Sequence, residues 1–535
     1  MSAAPKTLPV STAPGPVRQR NPWAIAFTVT IATFMEVLDT SIANVALPHI
    51  AGGLSASVNE STWVLTAYLV ANAIVLPLSA WMASIVGRKR FYMSCVAIFT
   101  TSSLLCGFAP TLGILILFRI VQGAGGGGLQ PSEQAILADT FPPEKFGMAF
   151  AIYGMAVVLA PAIGPTLGGF ITDHFNWRWI FFINVPIGVA STMLTYRMVE
   201  DPPYLKEEIK KARARFSIDY IGLGLIALGL GSLQVVLDKG QEVDWLASHM
   251  IATLTTVSIV ALIGFVVWEL RQRDPILDLR LFSNSTFATS WLMMFVVGTG
   301  LYGTTVLLPL YLQSLMGYTA ELSGFVLSPG GLTIMLMMPL VGTLITRVQA
   351  RWLAAFGFAI SAWSLMHMTS INPDIDFRAA IIYRCLQSIG LAFLFVPLTT
   401  MAYIGVPQNK NNQVSSLINL ARNIGGSVGI AMVTTIVARR SQVHQDRLAL
   451  HVTGYDLAFQ NTIGGMNQMF AQRGFSLPDA AQQSYAHLYG FVQMQAAALA
   501  YVDAIWVMAI SCAVMVPLVF LLKKNDPRQA QMSAH

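Results

Sequence analysis

Across 535 residues, 55% are hydrophobic and only 11% charged, with a formal net charge of +6. That apolar share suffices for roughly fourteen stretches of about 20 residues, the length that crosses about 30 Å of hydrocarbon, and the mean hydropathy is +0.60. A soluble enzyme, a nucleic-acid-binding domain and a disordered chain are excluded, and basic residues kept in cytoplasmic loops account for the net charge without an acidic partner.

Residues 1–22 are polar and Pro-rich and read as a cytoplasmic tail rather than a cleavable signal, because the apolar run from Trp23 is a full span long. Runs at about 24–46, 62–84, 91–109, 113–136, 147–171 and 179–199 give a first six-helix half at 23–200. Residues 201–284 read as a linker with two further spans, at about 218–238 and 249–269. A second six-helix half, 285–523, has runs at about 287–312, 322–346, 352–370, 380–405, 414–438 and 501–523, followed by a cytoplasmic tail at 524–535. The single long outer loop, 439–500, is rich in Gln and Ala and has room for helix. The expected fold is an all-α polytopic membrane protein with fourteen transmembrane helices.

Orientation follows from Lys and Arg. With the N-terminus inside, the inner segments hold about 22 basic residues and the outer ones about 7. The inner set includes Arg88, Lys89 and Arg90, then Lys206, Lys210, Lys211, Arg213 and Arg215. Both termini are expected in the cytoplasm.

An internal repeat supports the two-half architecture. Arg119-Ile-Val-Gln122-Gly-Ala-Gly125 returns as Arg384-Cys-Leu-Gln387-Ser-Ile-Gly390, 265 residues later. Gly164-Pro165-x-x-Gly168-Gly169 has a looser echo in Gly425-Gly426-Ser427-Val428-Gly429. The offset exceeds six helices with their loops, and the two central spans fill the difference.

Carboxylates inside a span are costly unless paired, protonated or wet, so they are functional candidates. Glu36 and Asp39 are three residues apart on one helix face, about 4.5 Å along the axis. The first helix runs outward and the fourth inward, which puts Asp39 and Arg119 at similar depth, with Gln122 one step deeper and level with Glu36, both of these expected in a substrate cavity. A pair balanced between ionisation and desolvation is suited to proton exchange, and a static ion pair fixing two helices is the alternative. Glu133 reads as a second cavity carboxylate or an interfacial charge. Trp63, Tyr68, Tyr302 and Tyr311 suit a broad apolar substrate cavity. The glycine run Gly123–Gly128 follows no strand and precedes no Lys-Ser/Thr, so a phosphate-binding loop is rejected. No cofactor is expected, and with no phosphate loop the energy source is an ion gradient.

The chain resembles the fourteen-helix drug:proton antiporter group of the major facilitator superfamily, and within it the Emr-type multidrug exporters. The residues that carry the resemblance are Leu38-Asp39-Thr40-Ser41-Ile42-Ala43-Asn44-Val45-Ala46-Leu47-Pro48, Gly87-Arg88-Lys89-Arg90, Arg119-x-x-Gln122-Gly123, Gly164-Pro165-x-x-Gly168-Gly169 and Trp177-Arg178-Trp179 through Asn184-Val185-Pro186. Ser84 stands where that family's loop usually carries an acid, and Ala80 replaces its leading glycine. Arg88 and Lys89 then have orientation and lipid contact as an alternative role.

The resemblance implies the major facilitator fold and export of lipophilic compounds, cationic ones among the candidates, in exchange for protons. It implies Asp39 and Arg119 as the proton-coupling pair and Gly164, Pro165, Gly168 and Gly169 as a seal against proton leak, with close helix packing as the plainer reading. It further implies residence in the inner (plasma) membrane and, in a host with two membranes, a periplasmic adaptor and an outer-membrane channel as partners, with no nucleic acid. The outer loop 439–500 is the expected docking surface, or else a lid. Export of an endogenous lipid, siderophore or metabolite is the first alternative, and a non-transporting membrane receptor the second.

Overall fold

The computed structural model describes residues 21–202, 205, 209, 219–272, 275–373 and 375–524. The tail residues 1–20 and 525–535 and the basic residues Lys206, Lys210, Lys211, Arg213 and Arg215 lie outside the described residues. The described residues are helical throughout, with no strand among them.

The first half comprises α1 (Pro22–Gly53), α2 (Trp63–Val86), α3 (Arg88–Gly107), α4 (Leu112–Gly126) with α5 (Leu129–Thr140), α6 (Phe146–His174) and α7 (Asn184–Met198). Two further helices follow, α8 (Tyr220–Lys239) and α9 (His249–Arg271). The second half comprises α10 (Ser285–Ser314), α11 (Ala320–Leu344), α12 (Ala350–Met368), α13 (Phe377–Ala402), α14 (Asn411–Ala449), α15 (Leu457–Gln472) and α16 (Leu477–Leu518). With α4 and α5 forming one span, and α15 set aside, these make fourteen spans. Among the described residues, twelve stretches combine spanning length with high hydropathy. The other two, α3 and α12, have 20 and 19 residues, long enough to cross, but Arg88-Lys89-Arg90 and the Trp, Ser and His content of α12 lower their hydropathy.

Local sequence explains the interruption between α4 and α5. A Cβ on Gly123 would lie 2.3 Å from the Tyr68 carbonyl oxygen, and one on Gly127 2.6 Å from that of Asn72. The glycines let this span press its backbone onto α2, and the run ends in a break because glycine gives the helix little support. The same logic holds α10 against α14, where a Cβ on Gly425 would meet the Phe295 carbonyl oxygen at 2.1 Å. Gly87 joins α2 to α3 at φ +103°, a conformation that side chains other than glycine rarely adopt.

Two seams join the halves. Along one, α6 packs on α11, with Gly324 against Thr166 and Gly331 against Ala162 and Leu159. Along the other, α2 packs directly on α14, and α8 lies against both. Gly231 faces Ile74 and Val70, Ser427 donates to Gln234 at 2.9 Å, and Thr66 donates to Asp238. At the Gly87 end, Ser416 donates to the Leu76 carbonyl at 2.9 Å and Asn411 to Asp139 at 2.8 Å. Outside the bundle, Leu228, Val260, Ile263 and Leu336 are exposed, as a bilayer environment requires.

Beyond the bundle, the segment 439–500 continues as helix. It comprises the last turns of α14, then α15, then the first turns of α16. Arg440 and His444 both reach Asp503, at 2.6 and 2.7 Å, and clamp α14 to α16 where this extension leaves the bundle.

Candidate functional site

Asp39 is 2% exposed and Arg119 fully buried. Arg119 Nη1 donates to Asp39 Oδ2 at 2.6 Å, and the other oxygen, Oδ1, accepts from Gln122 Nε2 at 3.1 Å and from Asn184 Nδ2 at 2.6 Å. Arg119 also donates to Gln122 Oε1 at 2.8 Å and to the Val64 carbonyl at 3.1 Å, with its guanidinium carbon 4.3 Å from the Tyr68 ring centre. Arg119 Nε and Nη1, both Asp39 oxygens and both polar atoms of the Gln122 amide end on partners from α1, α2, α4 or α7, while Arg119 Nη2 meets no acceptor among the described residues. Buried charges persist in a fold when paired and hydrogen-bonded in this way.

Gln122 departs from the sequence expectation. It belongs to Asp39 rather than lying level with Glu36. Side chains lean toward their helix N-terminus. α1 and α4 are antiparallel, so Asp39 leans one way, Gln122 the other, and the two meet although their Cα levels differ.

Glu36, 3% exposed, has a separate partner set. Its Oε1 accepts from Tyr68 at 3.1 Å and Asn72 at 3.2 Å, and its Oε2 from Gln130 at 2.5 Å. Gln130 in turn accepts from Arg422 of the second half, whose Nη1 also donates to the Tyr153 hydroxyl at 2.8 Å. Tyr153 donates to Asn419 at 2.8 Å, and Asn419 donates to Gln134 at 2.9 Å. A continuous polar chain therefore crosses from one half to the other at the level of Glu36.

This chain borders a cavity of about 590 Å³, counting the space at its mouth, lined among others by Glu36, Tyr68, Asn72, Gln130, Tyr302 and Gln234. Its polar groups are amides, hydroxyls and one carboxylate, and Val37, Leu69 and Ile430 supply apolar wall. Glu36, Tyr68 and Tyr302 are thus where a cavity reading places them.

Four other expected cavity residues lie elsewhere. Gln122 is held by Asp39 and Arg119. Glu133 is fully buried and accepts from Thr30 at 2.6 Å, which removes the interfacial reading and keeps it off the cavity wall. Trp63 sits at the end of α2 beneath the Lys239 ammonium, 5.7 Å from its ring centre. Tyr311 is fully buried edge-on against Tyr501.

Gly164, Pro165, Gly168 and Gly169 lie on α6 where it crosses α1. A Cβ on Gly164 would lie 2.2 Å from Ser41 Oγ and one on Gly168 3.2 Å from Ile42, which is the geometry of close packing.

Arg88 is also corrected. It is 2% exposed, donates to the Ala135 carbonyl at 2.9 Å and pairs with Asp139, so it is a buried tie to α5 and not a lipid contact. Its carboxylate partner comes from α5, while Ser84 donates to the Trp81 carbonyl of its own helix at 2.6 Å.

Sequence reasoning gave no site role to Arg422, Gln130, Tyr153, Asn419 and Gln234, and read Asn184 only as part of a motif. Arg422 carried a usable signal, since it is a charge inside an apolar run.

Two pseudo-repeated helical halves around a polar cavity are the architecture of a multi-pass membrane transporter. Residues 29–430 match the family described as Major Facilitator Superfamily. The chain is 38% identical over 462 residues to the multidrug export protein EmrB of Haemophilus influenzae, covering 86% of this chain and 88% of that protein. It is 38% identical over 453 residues to the fatty acid resistance protein FarB of Neisseria gonorrhoeae, covering 85% and 88%. The proton:xylose symporter XylE superposes with a TM-score of 0.59 at 11% identity, covering 95% of this chain and 97% of that one, a likeness of fold alone. The chain belongs to the Major Facilitator Superfamily, in its Emr-type group of fourteen-helix members.

Proposed function

We propose that this protein exports lipophilic compounds, cationic ones included, in exchange for protons, by alternating access between its two halves. One observation carries the reading: Asp39 is a buried carboxylate 2.6 Å from Arg119, one helical step from Glu36 at a central cavity. Protonation of Asp39 removes the attraction that holds α1 to α4. The energy of the gradient thereby becomes a change in helix contacts. Glu36 offers a positive substrate its counter-charge, and the names of EmrB and FarB support a drug or an amphipathic lipid as cargo.

The protein resides in the inner membrane with both termini in the cytoplasm, its halves at 23–200 and 285–523 joined by the linker 201–284, and it uses no cofactor. The projecting segment 439–500 docks a periplasmic adaptor that leads to an outer-membrane channel.

The test uses purified protein in liposomes with an imposed pH gradient and a panel of dyes and lipids. Wild type moves dye against its gradient, and Asp39→Asn binds dye but does not. Gradient-driven efflux by Asp39→Asn at the wild-type rate overturns the assignment. Transport of lipids but not dyes favours an endogenous amphiphile as cargo.

A further inference from the structure

The 265-residue offset that carries Arg119 onto Arg384 and Gln122 onto Gln387 also carries Asp39 onto Thr304. The geometry repeats with the sequence. Arg384 Nη1 donates to Gln387 Oε1 at 2.8 Å, as Arg119 does to Gln122 at 2.8 Å. Gln387 Nε2 donates to Thr304 Oγ1 at 2.8 Å, as Gln122 Nε2 does to Asp39 at 3.1 Å. Arg384 Nη1 then reaches Thr304 Oγ1 at 3.3 Å, where Arg119 reaches a carboxylate at 2.6 Å. It is the same triangle with one corner changed from carboxylate to hydroxyl.

Arg384 is 1% exposed. Among the described residues its hydrogen-bond partners are Thr304, Thr305 and Gln387, all neutral. Each guanidinium leaves one nitrogen without an acceptor, Nε in Arg384 and Nη2 in Arg119, so the two triangles differ in the charge of the third corner rather than in how well the arginine is bonded. A guanidinium keeps its proton in proteins, and a threonine hydroxyl is a hydrogen-bonding group rather than a carrier of charge. The second triangle therefore has no member that responds to pH as a carboxylate does.

We infer that Thr304 limits the number of protons exchanged per cycle, because it makes the second-half triangle a proton-silent copy of the first. The inference rests on the reading of Asp39 as the proton carrier. Aspartate is close to threonine in size, so Thr304→Asp places a carboxylate in a seat already furnished with a guanidinium and an amide, and gives the second half a proton-exchanging pair of its own.

The experiment uses the full chain in liposomes with ethidium as the transported probe, and measures the ethidium gradient sustained at balance by each imposed pH step. One added proton per cycle raises that gradient about tenfold per pH unit, so Thr304→Asp should show this steeper dependence and Thr304→Ser the wild-type one. Thermal unfolding in detergent is the second readout. A carboxylate beside the unpaired Arg384 should raise the midpoint at neutral pH, and the rise should vanish in Thr304→Asp combined with Arg384→Gln. A Thr304→Asp protein with wild-type stoichiometry, or one that unfolds more readily than wild type, overturns the inference. Asp39→Asn alone separates the two levels: if it still couples, the underlying reading fails, and if it is uncoupled while Thr304→Asp changes nothing, only the inference fails.

Discussion

Asn184 donates to Asp39 Oδ1 at 2.6 Å, the carboxylate oxygen opposite the one that Arg119 occupies. The same Asn184 amide donates to Ser103 Oγ at 3.0 Å, so the orientation of the carboxylate is tied to α3 and α7 as well as to α4. Asn184→Ala removes one hydrogen bond to a charged group, about 1.5–3 kcal/mol. Gradient-driven efflux should fall about tenfold or more while Asp39 and Arg119 remain paired. Liposome efflux measured beside dye binding checks this, and unchanged efflux would show that Asn184 is dispensable for coupling.

Glu36→Gln keeps the shape and the hydrogen-bonding reach of Glu36 but deletes the carboxylate charge at the cavity wall. Transport of cationic dyes should drop relative to neutral compounds of similar size. An unchanged ratio in competition assays would demote Glu36 to a packing role.

Arg88→Ala leaves the Asp139 carboxylate beneath α3 without its buried guanidinium partner. Breaking a buried pair on one side costs about 3–5 kcal/mol, so the thermal midpoint in detergent should fall clearly. Arg88→Lys should recover only part of the loss, because the bonds to Asp139 and to the Ala135 carbonyl both start from Nη1, at the tip of a side chain longer than that of lysine.

The glycines at these crossings should respond unequally. A Cβ on Gly164 lies 2.5 Å from Ser41 Cβ and one on Gly425 2.1 Å from the Phe295 carbonyl oxygen, neither of which can rotate away, whereas one on Gly168 comes no nearer than 3.2 Å to Ile42. Gly164→Ala and Gly425→Ala should each destabilise by about 1–3 kcal/mol, the usual cost of overpacking, and Gly168→Ala by less. Unfolding midpoints of the three variants, side by side, check the order.

Deletion of residues 455–485 removes α15 and the start of α16. Adaptor co-purification should fall, while exchange in liposomes, where no adaptor is present, should persist. Intact co-purification with lost exchange would assign the segment to the transport path.

The Asp39–Arg119 meeting was legible in the sequence because it needs only counting: antiparallel helices and equal distances from their ends put two opposite charges at one depth. Facing is different. A helix apolar on every side carries little stripe to say which flank meets a neighbour, so Tyr302 and Tyr311 looked alike, yet one lines the cavity and the other is packed against Tyr501. Asn184 and Gln130 were hidden for a related reason. An amide in a span signals a partner but not which one, and both of theirs come from helices distant in sequence. The Asp139 partner of Arg88 could not be read from the loop around Ser84 because the acid sits on α5.

The placement of α8 governs how an oily molecule could arrive. One flank between the halves is shut by the glycine-rich contact of α6 with α11, and on the other α2 meets α14 directly, with α8 laid against both and its Gln234 at the cavity wall. Sideways entry from the lipid would require α8 to swing out and α2 to part from α14, breaking the ties of α8 to Thr66 and Ser427 and that of Ser416 to Leu76. For the lipophilic cargo proposed above, both walls are closed in this arrangement, and the door of the cavity lies at its ends.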